Sequence, residues 1–146
     1  MSVSGTLLAF DFGERRIGVA VGETATRIAN PLGAIDEVAN DARFRRIGAL
    51  VEEWRPVGFV VGCPKHESGD PHEVAKLAEK FARRLQARYN LPVVLVDETL
   101  TSAAAESGLR GNRTRAARKG DVDALAAMLI LQSYLDDPGA YRDAAA

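Results

Sequence analysis

At 146 residues, with 47% hydrophobic and 27% charged side chains, the chain has the composition of an ordinary globular protein and the length of one domain. Disorder and a membrane-spanning class are both excluded as leading expectations, because no apolar run reaches spanning length and the N-terminus lacks a basic, then apolar, leader. A net charge of −1 decides nothing about nucleic acid, and the single cysteine, Cys63, cannot form an internal disulfide, so a cytoplasmic protein is expected.

Residues 6–12, TLLAFDF, read as a central strand covered on both faces. A short connection, GERR, leads to IGVAVGE at 17–23, so the first two strands are predicted to form an antiparallel hairpin. A third strand around 29–35 is interrupted by Asn30, Pro31 and Gly33, which an edge position tolerates. From Asp41, a candidate cap, the period changes. Phe44, Ile47, Leu50, Val51 and Trp54 fall at helical spacing, with Arg43, Arg45, Arg46, Glu52 and Glu53 largely opposite.

VGFVVG after Pro56 reads as a short buried strand, followed by a polar loop, CPKHESGDPH, and a helix over 71–89 that ends at Asn90. PVVLVDET forms the next strand and leads into a short helix over 101–107. A last helix over 121–135 turns Val122, Leu125, Ala126, Leu129 and Ile130 inward, and the tail from 138 to 146 is expected to be disordered. This order predicts one α/β domain over 1–137. Its mixed five-stranded sheet has strands 1–3 antiparallel and strands 1, 4 and 5 parallel, with helices on its faces.

Three acids stand where strands or helices end: Asp11 after the first strand, Asp97 or Glu98 after the fifth, and Asp121 or Asp123 at the last helix. An acid at the end of an apolar strand is costly to desolvate alone, and a divalent cation satisfies several at once. Oxygen-only ligands favour Mg²⁺ or Mn²⁺ over zinc. Strand residues alternate faces, so only one of Asp97 and Glu98 points into such a site, while Asp121, following Gly120, has the position of a helix cap. Between Arg110 and Lys119 the bases Arg110, Arg113, Arg115, Arg118 and Lys119 occur with no acid among them, enough for a phosphate-binding patch. His66 and His72 lie in polar surroundings where solvent exposure is the ordinary expectation, with His66 the better substrate contact, and Trp54 and Phe44 belong to the core.

The motifs DFGERRIGVAVG, VVGCP, DETLTS and KGDVDALAA, in this order and at these spacings, resemble the YqgF family, also called RuvX, over roughly residues 6–135. That family comprises Holliday-junction-resolvase-like bacterial proteins associated with nuclease processing of pre-16S rRNA. The resemblance implies a ribonuclease H-like fold and an acidic metal triad at Asp11, Glu98 and Asp123, with Mg²⁺ or Mn²⁺ as cofactor. It places Arg16, Gly62, Pro64 and Thr101 near the site and brings the basic loop to substrate phosphates.

Three departures stand out. Thr99 replaces an arginine of the family's D-E-R-L, Cys63 replaces a leucine, and His66 lies near an expected asparagine.

The expected function is divalent-metal-dependent hydrolysis of phosphodiester bonds in structured RNA at the 5′ side of the 16S rRNA precursor. Arg16, Lys65, His66, Thr101, Arg113, Arg115, Arg118 and Lys119 would contact substrate. The rivals are a nucleic-acid-binding module without chemistry, and a DNA junction resolvase, which would need a dimer to cut two strands symmetrically. An ATP-binding domain of the actin and sugar-kinase type would need a second domain. Monomer and homodimer both remain open, and no membrane partner is expected.

Overall fold

In the computed structural model, which describes residues 3–63, 71–97 and 119–143, the chain runs β1 (Thr6–Asp11), β2 (Ile17–Glu23), β3 (Ile28–Ile35), α1 (Asn40–Trp54), β4 (Gly58–Cys63), α2 (Pro71–Tyr89), β5 (Val93–Asp97) and α3 (Lys119–Asp136). The expected helix over 101–107 lies outside the described residues. The sheet order is β3-β2-β1-β4-β5, with β1 antiparallel to β2 and parallel to β4, and β4 parallel to β5. This is the α/β arrangement expected from the sequence.

Alternation along the strands divides the core in two. Leu8 and Phe10 of β1, with Phe12 just past its end, join Ile17, Val19 and Val21 against α1 and α2, where Phe44 and Phe81 close the layer. Leu7 and Ala9 join Ala20, Ala29, Val60 and Val94 against α3, which contributes Ala127, Ile130, Leu131, Tyr134 and Leu135. The first layer is built on rings: Phe81 lies 5.3 Å from Phe12, 5.7 Å from Phe44 and, edge-on, 5.9 Å from Phe10. The second has a floor of small residues on which a helix can lie close.

That floor corrects the expected inward face of α3. Ala126 and Ile130 are buried as expected, but Val122, Leu125 and Leu129 are only half-buried, and Ala124, Ala127 and Leu131 take their place in the core. The helix is apolar on most sides, so periodicity alone could not orient it. Gln132 then ties it to the edge strand: its Oε1 accepts from the Ala29 N–H at 3.1 Å and its Nε2 donates to the Arg27 carbonyl at 2.8 Å.

Helix limits differ slightly from expectation. The cap residue of α1 is Ala39, with no side-chain cap bond, so Asp41 sits in the first turn and meets the helix dipole there. The third helix starts at Lys119, so Asp121 is likewise a first-turn residue. At the other ends, Arg55 and Asn90 take left-handed φ values of 48° and 54°. Their N–H groups donate to the carbonyls of Val51 and Gln86, both at 2.8 Å.

The tail expected to be disordered from 138 is ordered as far as 143. A 3-10 turn (Pro138–Ala140) leads to β6 (Arg142–Asp143), which pairs antiparallel with β5 and makes a sixth strand. Tyr141, 6.4 Å from the ring of the buried Tyr134, supplies the anchor that a tail rich in Ala, Asp and Gly otherwise lacks. No helix among the described residues is long and apolar enough to cross a membrane.

One side chain defies its sequence assignment. Arg43, expected on the polar side of α1, is 3% exposed. Its Nε donates to the Glu37 carbonyl at 2.5 Å and one Nη to the carbonyls of Gly13 and Glu14 at 2.7 and 2.8 Å, while its guanidinium lies 5.6 Å from the Phe12 ring. Burial pulls its pKa below the ordinary value, opposed in part by the charge of Glu14. Arg43→Met leaves three carbonyls without their donor and is expected to cost about 3 kcal/mol. Arg43→Lys should recover only part of this, because an ammonium cannot span the same fork. Chemical denaturation of both variants measures it, and an unchanged midpoint for Arg43→Met contradicts the role.

Candidate active site

β1, β4 and β5 are parallel neighbours, so their carboxyl ends share one edge of the sheet, the edge where open α/β sheets bind ligands. Asp11 closes β1 there, in register with Gly62 of β4 on one side and Gly18 of β2 on the other. By alternation with Leu7 and Ala9 it belongs to the face covered by α3.

Gly18 brings the second carboxylate in. A Cβ at Gly18 would run into the backbone carbonyl of Asp123, so the helix backbone rests directly on β2 at the position paired with Asp11. Gly18, Ala20 and Gly22 form one face of β2, and a Cβ at Gly22 would meet Leu131 at 2.9 Å and Leu135 at 3.2 Å further along the same helix. Small residues at every second position thus lower α3 onto the strand and set Asp123 beside the end of β1. Gly18 has no expected role from the sequence motifs alone. The signal was available in the alternation of Gly, Ala and Gly with Ile, Val and Val through IGVAVG.

Arg16, immediately before β2, donates from Nε to Asp123 Oδ2 at 2.7 Å, with about a quarter of each side chain exposed. The expected substrate contact is therefore also an anchor for an expected metal ligand. Its position depends on the turn that Arg43 holds by the carbonyls of Gly13 and Glu14, and that turn is tight: a Cβ at Gly13 would collide with the Arg16 carbonyl. Arg43 was also legible, since it lies four residues before the buried Ile47 on the same side of α1.

Of the other expected site residues, Lys65, His66, Thr101, Arg113, Arg115, Arg118 and Glu98 lie outside the described residues, as does Pro64. Lys119 opens α3. Asp11 and Asp123 are thus brought to one face at one sheet end, a donor set of carboxylate oxygens that fits a hard divalent cation. Among the described residues no third Asp, Glu, His or Cys completes a cluster.

A mixed sheet in this order, with helices on both faces, is the ribonuclease H-like arrangement. Two solved structures of Thermus thermophilus RuvC share it, one described simply as the RuvC structure and one in complex with a Holliday junction substrate, each with a TM-score of 0.57. They are 16% and 15% identical and cover 94% and 95% of this chain and 99% of their own.

The chain belongs to the RuvX (YqgF) family, whose sequence model, described as Holliday junction resolvase, matches residues 5–137. Relatives from Methylobacillus flagellatus and Dechloromonas aromatica, each named "Putative pre-16S rRNA nuclease", are 51% and 53% identical. The matches cover 92% of this chain in both cases, and 93% and 92% of the relatives. Its class is that of the nucleases, hydrolases of phosphodiester bonds.

The close seat of Asp123 on Gly18 makes a direct prediction. Gly18→Ala should lift the start of α3 from β2, lowering stability by about 2 kcal/mol. Urea unfolding of the variant tests this, and an unchanged midpoint refutes the close-approach account.

Proposed function

We propose that this protein is a divalent-metal-dependent nuclease of structured RNA that acts on the 5′ side of the 16S rRNA precursor. The observation that carries this reading is the convergence of Asp11 and Asp123, residues more than a hundred positions apart, on one face of the sheet through Gly18. The names of the relatives supply the substrate.

Asp11, Glu98 and Asp123 would hold Mg²⁺ or Mn²⁺. The α3 face is carried along β5 by Val94 and Val96, which supports Glu98 over Asp97 as the third carboxylate. Ions held there would supply an activated water and offset charge on the leaving oxygen, the chemistry of two-metal phosphodiester hydrolysis.

The chain's own residues do the positioning. Arg16 fixes the orientation of the Asp123 carboxylate through Oδ2 and keeps its remaining guanidinium donors for a substrate phosphate, which a planar fork can engage in pairs. Lys65, His66, Thr101, Arg113, Arg115, Arg118 and Lys119 complete the proposed contacts to substrate, with the basic residues on its phosphates. A chain of net charge −1 relies on such local concentrations of positive charge to approach a polyanion.

The test is cleavage of a labelled 16S precursor RNA and of a four-way DNA junction, each with Mg²⁺ or Mn²⁺, by the natural chain and by Asp11→Asn. RNA cutting that requires the ion and falls by about a thousandfold in the variant is the expected result. Cutting that survives in Asp11→Asn removes the assigned site. Cutting of the junction alone replaces RNA by DNA as substrate, and RNA binding without ion-dependent cutting favours a binding module.

A further inference from the structure

The long helix α2 carries a charge pattern that the proposed active site does not use. Ala78, Ala82 and Leu85 bury one side of it against the sheet, while Lys76, Lys80, Arg83 and Arg84 are exposed on the other. At about 100° per residue these four bases fall within roughly a third of the helix circumference. Glu73, in the first turn, falls on the same exposed side three residues before Lys76, and Glu79 sits at the rim, 4.0 Å from Arg83, so the four bases outnumber the acids by two. Among the described residues no ion pair involves Lys76, Lys80 or Arg84. Arg88, further along, bends over the Phe44 ring at 4.6 Å and anchors α2 to α1.

The level of this face relative to the sheet gives it meaning. Tyr89, the last residue of α2, lies 5.8 Å from Phe59 near the start of β4, and Phe81 lies 5.3 Å from Phe12, just past the end of β1. The helix therefore runs back along the strands from their carboxyl ends, and by Phe81 it is level with Asp11, on the opposite face of the sheet. The turns before Phe81 extend roughly 15 Å further in the same direction. Lys76 and Lys80 stand on that projecting part, with Arg84 one turn behind.

We propose that the exposed face of α2 from Lys76 to Arg84 is a second phosphate-binding surface, occupied by the backbone of a double-helical RNA segment that passes the carboxyl ends of the strands on the side of the sheet opposite α3. The proposal rests on the nuclease reading for its substrate. Lys76, Lys80 and Arg84 are spaced four residues apart, about 6 Å per step along a rigid rod, which suits the regular phosphates of a helix. The face carries no aromatic side chain, and its one sizeable exposed apolar residue is Leu77. Single-strand binding sites stack bases on aromatic side chains, whereas duplex RNA is held through phosphates and shape.

The experiment measures binding of the full chain carrying Asp11→Asn, which prevents cutting, to a labelled RNA stem at several salt concentrations. The same chain with Lys76→Gln, Lys80→Gln and Arg84→Gln is then compared. These exposed helix positions accept glutamine, and a thermal melt confirms the fold. The plot of log affinity against log salt should be shallower by about 2 to 3, with at least about tenfold weaker binding near 0.1 M salt.

Equal affinity and equal slope overturn the proposal. So does an equal loss on a single-stranded RNA of the same length, because the duplex assignment then fails. A selective loss on the stem supports the surface even where the natural chain shows no ion-dependent cutting, the result that removes the nuclease reading by itself.

Discussion

The structure depends on how closely α3 can approach β2. Two backbones meet at Gly18 without an intervening side chain, and the small face of Gly18, Ala20 and Gly22 lets the helix settle along its length. A helix normally packs on side chains, which set its distance from a sheet. Here the backbone sets it at one end, and the position of Asp123 relative to Asp11 becomes a property of the fold rather than of side-chain rotamers alone. Functional carboxylates need this kind of rigid support, since small displacements are costly for chemistry.

The opposite layer supports the same site from behind. Phe10, Phe12, Phe44 and Phe81 fill the space between the sheet and its two helices, and Arg43 enters that apolar layer to hold the carbonyls of the β1–β2 turn. A buried guanidinium is tolerated because carbonyl oxygens accept its hydrogens and Phe12 offers a ring face. A continuous path of contacts then runs from α1 through Arg43 to the turn, from the turn to Arg16, and from Arg16 to Asp123. Both layers of the core thereby converge on one carboxylate.

The strands and their order were legible because buried strands leave continuous apolar runs and the connections had lengths that admit few topologies. Proline and asparagine marked the edge character of β3 and the end of α2. The orientation of α3 was not legible, since a helix that is apolar nearly all round carries no clear period, and its true inner face is set by small residues on another element. Arg43 was misplaced because charge outweighs position in a sequence reading, although its spacing from Ile47 put it on the buried side. The ordered end of the tail escaped for a different reason: one tyrosine anchors it, and a single contact has no periodicity to read. In the site, Asp11 and Asp123 were visible as isolated acids, but the ion pair with Arg16 depends on a contact across more than a hundred residues and could not be inferred from local pattern.

The two rims of the sheet have a consequence for self-association. β3 presents Pro31, which has no N–H to donate, and its pairing with β2 shifts register between Val19 and Ala20, so its outer row of hydrogen-bonding groups is broken. β6, at the opposite rim, is only two residues long. Among the described residues neither edge offers the flat, regular ladder that would recruit a strand from another molecule, although Ile28 and Leu32 leave apolar side chains exposed on β3. Growth of a common sheet through these two rims is thereby disfavoured.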